Sequence, residues 1–167
     1  MTHILAAALV LHMSDFSGAP PATVRQAQQE VTRVYAEIGV PLEWSEDARG
    51  DDRPVTRIVL LPYETGDLRR SEKQVMGAAV RTGAGNAIAY VFYQRVEAEA
   101  ARYQVSTGLV LACAIAHELG HLLLPDATHA LTGLMRACWG RDDFNRADQG
   151  QLRFLPGDVA RIRASLR

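Results

Sequence analysis

The stretch STGLVLACAIAHELGHLLLP, residues 106–125, decides the fold. It is almost continuously apolar, and its ionisable side chains are His117, Glu118 and His121. Ser106 is placed to be the N-cap, with the next residue as the alternative. A proline at the end of the stretch disfavours helical backbone in the residue before it. The pattern predicts a central, mostly buried helix that carries three ionisable groups.

The segment His117-Glu118-Leu119-Gly120-His121 fits the pattern H-E-x-x-H. Two histidines four residues apart share one face of a helix and can both reach one Zn²⁺ ion at about 2.0–2.1 Å. A chain with 5 histidines would contain this pattern by chance about 0.008 times. Unpaired ionisable groups inside an apolar helix are costly. The pattern therefore favours a metal site over the alternative, hydrogen-bonded core histidines beside a surface glutamate.

A catalytic zinc site usually has three protein ligands and one water, so a third ligand is expected downstream. No glutamate follows Glu118, which excludes peptidases of the gluzincin type. His129 is the favoured third ligand because neutral imidazole suits zinc and the loop after Pro125 can return it to the helix. Asp126 is the alternative with suitable ligand chemistry. The other downstream aspartates are read as surface or cap residues: Asp142, Asp143, Asp148 and Asp158.

The remaining segments predict an α+β or α/β-like fold, with helices packed on one mixed, mostly parallel sheet of four or five strands. A long helix is predicted after Pro20-Pro21, with apolar residues from Val24 to Ile38 at three- and four-residue steps and Gly39 just past its end. A short helix is predicted from Pro156 to about Leu166, after an irregular, polar stretch at 125–150. The predicted strands are Ile4–Leu11, Val40–Trp44, Val55–Leu61, Val75–Val80 and Ala87–Tyr93.

Length and composition limit the classes of protein that are possible. The 167 residues, 48% of them hydrophobic, fit one domain spanning 1–167. The 18 basic and 19 acidic residues leave a net charge of −1. No overall electrostatic field therefore attracts the protein to nucleic acid or anionic lipid. No apolar stretch approaches the roughly 18 residues of a membrane span. We therefore expect no nucleic-acid or membrane partner.

Cysteine and tryptophan have simpler interpretations. Cys113 and Cys138 are too few for a disulfide framework, and both are expected to be small buried thiols. Cys113 lies too far along the helix to bind the same ion as His117 and His121. Trp44 and Trp139 are read as core residues or as walls of a substrate subsite. His3 and His12 flank the first strand without ligand spacing.

The segment HELGHLLLPDATHALTGLM, 117–135, resembles the metzincin peptidases, whose pattern H-E-x-x-H-x-x-G-x-x-H is followed by a methionine-containing turn. The resemblance implies that His117, His121 and His129 bind one catalytic Zn²⁺ and that Glu118 is the general base. It makes Gly133-Leu134-Met135 the methionine turn, with Met135 as the floor of the site. It also implies an N-terminal subdomain, 1–124, that ends in the active-site helix and a small C-terminal subdomain, 125–167.

The sequence departs from the family pattern in three places. Leu124 stands where the family has glycine, and Ala127 occupies the usual position of the third histidine, so His129 falls two residues late. No tyrosine follows directly after Met135. These departures concern the geometry of the ligands, and Leu124-Pro125 offers a different way to end the helix.

The resemblance implies peptide hydrolysis by a zinc-activated water, with Glu118 taking the proton and passing it to the leaving amine. The substrate would lie extended along an edge strand, identified as Ala87–Tyr93, where Tyr90 and Tyr93 either pack or contact substrate. The predicted function is a zinc metalloendopeptidase acting on peptides or proteins. The alternatives are a metal-dependent endoribonuclease of the three-histidine type and a non-catalytic zinc-binding module. The resemblance makes export possible, although the chain shows no export signal, and compartment and oligomeric state stay open.

Overall fold

A computed structural model describes residues 8–46, 54–66, 75–81, 87–124 and 129–166. Within these ranges the fold is α+β, as predicted. The elements in chain order are β1 (Leu9–Asp15), α1 (Pro21–Glu37), β2 (Leu42–Ser45), β3 (Val55–Leu61), β4 (Gly77–Arg81), β5 (Ala87–Phe92), α2 (Tyr93–Tyr103), α3 (Thr107–Leu123), α4 (Arg141–Asp148) and α5 (Pro156–Ser165).

The sheet has five strands in the order β2-β1-β3-β5-β4. All neighbouring pairs are parallel except β4 and β5, which are antiparallel. This confirms the predicted mixed, mostly parallel sheet. The prediction that Ala87–Tyr93 is an edge strand is wrong, however, because β5 lies inside the sheet and β4 is at its edge. The five residues between β4 and β5 are enough for a hairpin but too few for a parallel crossover, so β4 adds to the outside of β5.

The first strand is also displaced from its predicted position. The prediction ran from Ile4 to Leu11, of which 4–7 lie outside the described residues, and the strand continues to Asp15. The polar residues His12 and Ser14 lie within β1, where β2 pairs with residues 9–12 and β3 pairs with residues 10–15. Backbone pairing therefore outweighs the polar character of this segment.

Two helices were missed by the sequence analysis. The segment of α2 was assigned partly to a strand ending at Tyr93, which instead begins the helix. Its signal is the four-residue step between Val96 and Ala100, both buried. The segment of α4 was predicted to be irregular, although Phe144 and Ala147 are buried on one side of it. Both are short helices whose mean composition is polar, so packing rather than propensity decides them.

The helix α3 is the centre of the core. Fifteen of its 17 residues are buried, as expected for a helix that is apolar on all sides. Ser106 stands at the N-cap position, as predicted, but its hydroxyl donates to Gln26 Oε1 rather than to the helix. Leu124 ends the helix in extended backbone, which is the conformation favoured before a proline.

Packing against α1 fixes the position of α3. The Tyr35 ring is fully buried, and its hydroxyl donates to the Ala116 carbonyl oxygen at 3.0 Å. Burial raises the pKa of Tyr35 well above its ordinary value, so the hydroxyl stays a donor. One hydrophobic cluster includes buried residues from β1, α1, α3 and α5. The predicted division into subdomains stays a prediction. None of the described helices is both long and apolar enough to cross a membrane.

Candidate metal centre

Three histidine rings converge at the end of α3. His121 Nε2 lies 2.9 Å from His117 Nε2 and 3.2 Å from His129 Nε2. The spacing of four residues places the first two rings on one helical face, and the chain returns after the helix to bring the third beside them. Within the described residues these three side chains form a group with the geometry to hold a metal ion.

The donor set fits zinc in both chemistry and spacing. Neutral imidazole is a common zinc ligand. Two nitrogens bound at about 2.0–2.1 Å to a tetrahedral ion lie about 3.4 Å apart. The separations of 2.9 and 3.2 Å are slightly shorter, so small outward movements of the rings are enough to accommodate an ion. That these residues bind zinc remains a prediction.

The protonation of His117 also suits a ligand. Its Nδ1 lies 2.9 Å from the Leu134 carbonyl oxygen, which can only accept, so Nδ1 carries the proton and Nε2 keeps its lone pair. Burial lowers the pKa of His117 to about 4; the hydrogen bond that His117 donates to the Leu134 carbonyl opposes this shift, and the neighbouring histidines add to it. Burial, followed by the charge of His129, lowers the pKa of His121 to about 4. Both rings are therefore neutral at pH 7.

The third ring is held by a short closed loop. Ala130 and Arg136 form a β-bridge, and the Ala130 amide donates to the Met135 carbonyl oxygen at 2.8 Å. Gly133 has a φ of +78°, a left-handed conformation that favours glycine. The next amide, of Leu134, donates to the Arg153 carbonyl oxygen at 2.9 Å. The loop that follows His129 is thus tied to itself and to the C-terminal segment.

Met135 packs directly beneath the helix. It is 1% exposed, and a Cβ added to Gly120 would lie 2.5 Å from Met135 Sδ and 3.1 Å from a Phe154 ring carbon. The glycine between the two α3 histidines therefore permits the close approach of Met135. The residue that the metzincin resemblance makes the floor of the site lies below the histidine helix, while its assignment to a methionine turn stays a prediction.

Glu118 lies on the side of α3 that faces β4. It is 7% exposed, and a Cβ added to Gly77 would lie 2.6 Å from Glu118 Cγ and 2.7 Å from Oε1. The carboxylate therefore contacts the backbone of the edge strand. The sequence analysis missed Gly77, although a glycine within a strand often marks a close backbone approach.

Trp139 forms another side of the centre. Its ring meets that of His117 edge-on, with 5.4 Å between centroids, and packs on Phe144. It is 9% exposed. Asp143 accepts from the Gly140 amide at 3.0 Å and from Arg136 Nη1 at 2.7 Å, so it fixes the start of α4 and the segment leading to Trp139. This agrees with the interpretation of Asp143 as a cap residue.

The other candidate residues lie outside the histidine group. Asp126 falls outside the described residues. Asp142, Asp148 and Asp158 do not belong to the metal-capable group found in the described part of the chain. Trp44 packs on α1, where its indole donates to Thr32 Oγ1 at 2.9 Å. His12 meets the Ser45 carbonyl oxygen at 3.1 Å across the sheet, and His3 is not described.

The two thiols differ from each other. Cys113 is buried, as predicted, and burial raises its pKa to about 12. Cys138 is exposed, so the prediction of a buried thiol is wrong for this residue. The reason is its place in the segment after Met135, where the next residue, Trp139, turns inward instead. Neither cysteine forms a disulfide.

No model of a known protein family matches the chain, and a comparison with curated proteins finds no significant match.

Proposed function

We propose that the protein is a zinc-dependent endopeptidase in which His117, His121 and His129 hold one Zn²⁺ ion and Glu118 is the general base. The observation that carries this proposal is the convergence of three Nε2 atoms at the end of the helix that also carries Glu118. When bound, the ion would supply a Lewis acid and lower the pKa of a coordinated water.

The chain's own residues would perform the proton transfers. Glu118, which directly follows His117 in α3, would take a proton from the attacking water and deliver it to the leaving amine. Glu118 is buried, and partial exclusion of water strengthens its interactions with charges that develop during the reaction. Buried Met135 and Trp139 shield the site from below and beside His117.

The edge strand supports peptide as the substrate. Within the described residues β4 pairs with β5 on one side, and its first residue, Gly77, contacts Glu118. An extended peptide that added to the free side of β4 would gain backbone hydrogen bonds with little dependence on its sequence. Its scissile bond could then pass close to the general base. The strand that would align the substrate is thus β4, in place of Ala87–Tyr93.

Cleavage of an internally quenched peptide library by the zinc-loaded protein would test this proposal. Glu118→Gln removes the base but none of the three histidines, so we expect bound zinc to be retained and cleavage to fall by about 10²–10⁴-fold. Glu97→Gln, an exposed change on α2, is the matched control and should cleave like the wild type. Cleavage by Glu118→Gln at the rate of the wild type would contradict the role of Glu118 as the general base.

The same samples decide between the alternative functions. If the zinc-loaded wild type cleaves RNA and not peptides, the three-histidine endoribonuclease replaces the peptidase. If it binds zinc and cleaves neither substrate, the protein is a zinc-bearing binding module. The buried Glu118 carboxylate, next in sequence to His117, favours the peptidase, because its negative charge would repel the phosphates of RNA.

A further inference from the structure

The start of β4 packs closely against Glu118 and leaves no room for a side chain at Gly77. A Cβ at Gly77 would lie 2.6 Å from the Tyr90 carbonyl oxygen as well as 2.6 Å from Glu118 Cγ. The first of these neighbours is backbone in the adjacent strand, and the second is the proposed base. A small displacement of β4 would therefore change its distance from Glu118, and the start of this strand has to be held in place.

The ladder of the sheet holds this end of β4 only in part. Its first paired residue is Gly77, opposite Val91, and one more bond joins the Phe92 amide to the Met76 carbonyl oxygen at 2.8 Å. The carbonyl oxygen of the preceding residue, Val75, accepts a hydrogen bond from Arg95 Nη1 at 2.6 Å. A side chain thus continues the attachment where backbone pairing ends.

Arg95 is itself well anchored. Its Nη2 lies 2.7 Å from Glu64 Oε1, an ion pair whose side chains are 28% and 12% exposed. It lies in the first turn of α2, directly after β5, and the neighbouring Gln94 amide donates to the Pro62 carbonyl oxygen at 3.1 Å. One planar guanidinium can bind a carboxylate and a carbonyl oxygen at once. It connects the segment after β3 to the segment before β4.

We propose that Arg95 is a positioning residue, which fixes the start of β4 against Glu118 and so aligns an extended peptide with the metal centre. This inference rests on the proposed peptidase function. The bonds of Arg95 described above reach Val75 and Glu64, so its loss should affect the binding of a peptide along β4 rather than the binding of the metal.

Two metal-binding probes on the Co²⁺-loaded protein would test the proposal, with visible absorption as the readout. Acetohydroxamate would bind only the metal, whereas a tripeptide hydroxamate would bind the metal and also pair with the backbone of β4. For Arg95→Met we expect binding of the tripeptide hydroxamate to weaken about tenfold, the scale of one charge-assisted hydrogen bond. Acetohydroxamate binding and Co²⁺ affinity should stay within about twofold. Amide hydrogen exchange over 75–81 should rise, whereas exchange over β3 should not.

Arg102→Met is the matched control, since exposed Arg102 lies on the same helix and pairs with half-buried Glu99 at 3.6 Å. It should leave both probes unchanged. Arg95→Lys keeps the positive charge but loses the planar fork of donors, so its tripeptide affinity should fall between those of Arg95→Met and the wild type.

The outcomes separate this inference from the proposed function. An unchanged tripeptide affinity in Arg95→Met, or an equal loss for both probes, would overturn the positioning role. If the wild type binds the tripeptide hydroxamate more tightly than acetohydroxamate but cleaves no peptide, the proposed function fails, and the ratio of the two affinities in Arg95→Met still decides the role of Arg95.

Discussion

The Nδ1–H of His117 donates to the backbone carbonyl oxygen of Leu134 at 2.9 Å. This bond connects the first histidine of α3 with the closed loop that follows the third. It fixes both the tautomer and the rotation of the ring, and partners of this kind also raise the basicity of a metal-binding imidazole. The loop therefore has two roles at the site, because it anchors the backbone next to His129 and orients the His117 ring.

Gly120 should be intolerant of a side chain. In Gly120→Ala the added methyl would meet Met135 Sδ at 2.5 Å in a buried space, and overpacking of this kind costs about 1–3 kcal/mol. We expect a lower free energy of unfolding in urea and weaker zinc binding, since Met135 belongs to the loop that holds His129.

The matched control for this change is Gly157→Ala on α5, where an added Cβ meets nothing within 4 Å. Alanine is the better helix former, so this variant should be neutral or slightly stabilised. If Gly120→Ala were as stable as Gly157→Ala, the close packing of Met135 on α3 would be disproved.

Trp139 should report on the metal centre. Its ring contacts His117 edge-on, whereas the indole of Trp44 donates a hydrogen bond to Thr32 on α1. In Trp44→Phe, where Trp139 is the one remaining tryptophan, we expect the fluorescence to change during a zinc titration and to saturate at one equivalent. In Trp139→Phe, the signal from Trp44 should stay constant. The reverse pattern would place the metal away from His117.

The metal-free protein should lose stability in mild acid. Burial lowers the pKa of His117 from 6.5 to about 4 in the folded protein, so the unfolded chain binds more protons between these values. The contribution of His117 to the free energy of unfolding is therefore complete above pH 6.5 and is lost as the pH falls from 6.5 to 4. A single buried group shifted this far contributes roughly 3 kcal/mol.

Urea unfolding of the metal-free protein at pH 7 and pH 4.5 measures this loss. Other groups titrate over the same range, so the comparison is with His117→Gln, in which the loss should be smaller than in the wild type. Equal losses in wild type and His117→Gln would show that His117 titrates normally in the fold.

Local sequence patterns predicted the elements with strong periodicity or clear ends. The bounds of β3 are those predicted, and α1 begins at Pro21, the second residue of the proline pair that marks its start. The helix α2 was missed because an 11-residue segment rich in glutamate and alanine has only a narrow apolar face. The assignment of β5 as the edge strand was wrong because strand order depends on how the chain crosses the sheet, which periodicity does not encode.

The candidate site was predictable only where side chains carry its chemistry. The spacing of His117 and His121 gives their shared face directly, and ligand chemistry pointed to His129, which the structure brings beside them. The contacts made by the Leu134 carbonyl and by Gly77 involve backbone atoms. Every residue has such atoms, so their part in the site becomes visible only in the fold.

Zinc content per chain, measured on purified wild type, His129→Ala and Asp126→Ala after loading and removal of excess metal, tests the central claim most directly. The account predicts one zinc per chain in wild type and Asp126→Ala, and loss or sharp weakening of binding in His129→Ala. Absence of zinc from the wild type, or full retention in His129→Ala, would contradict the three-histidine metal centre.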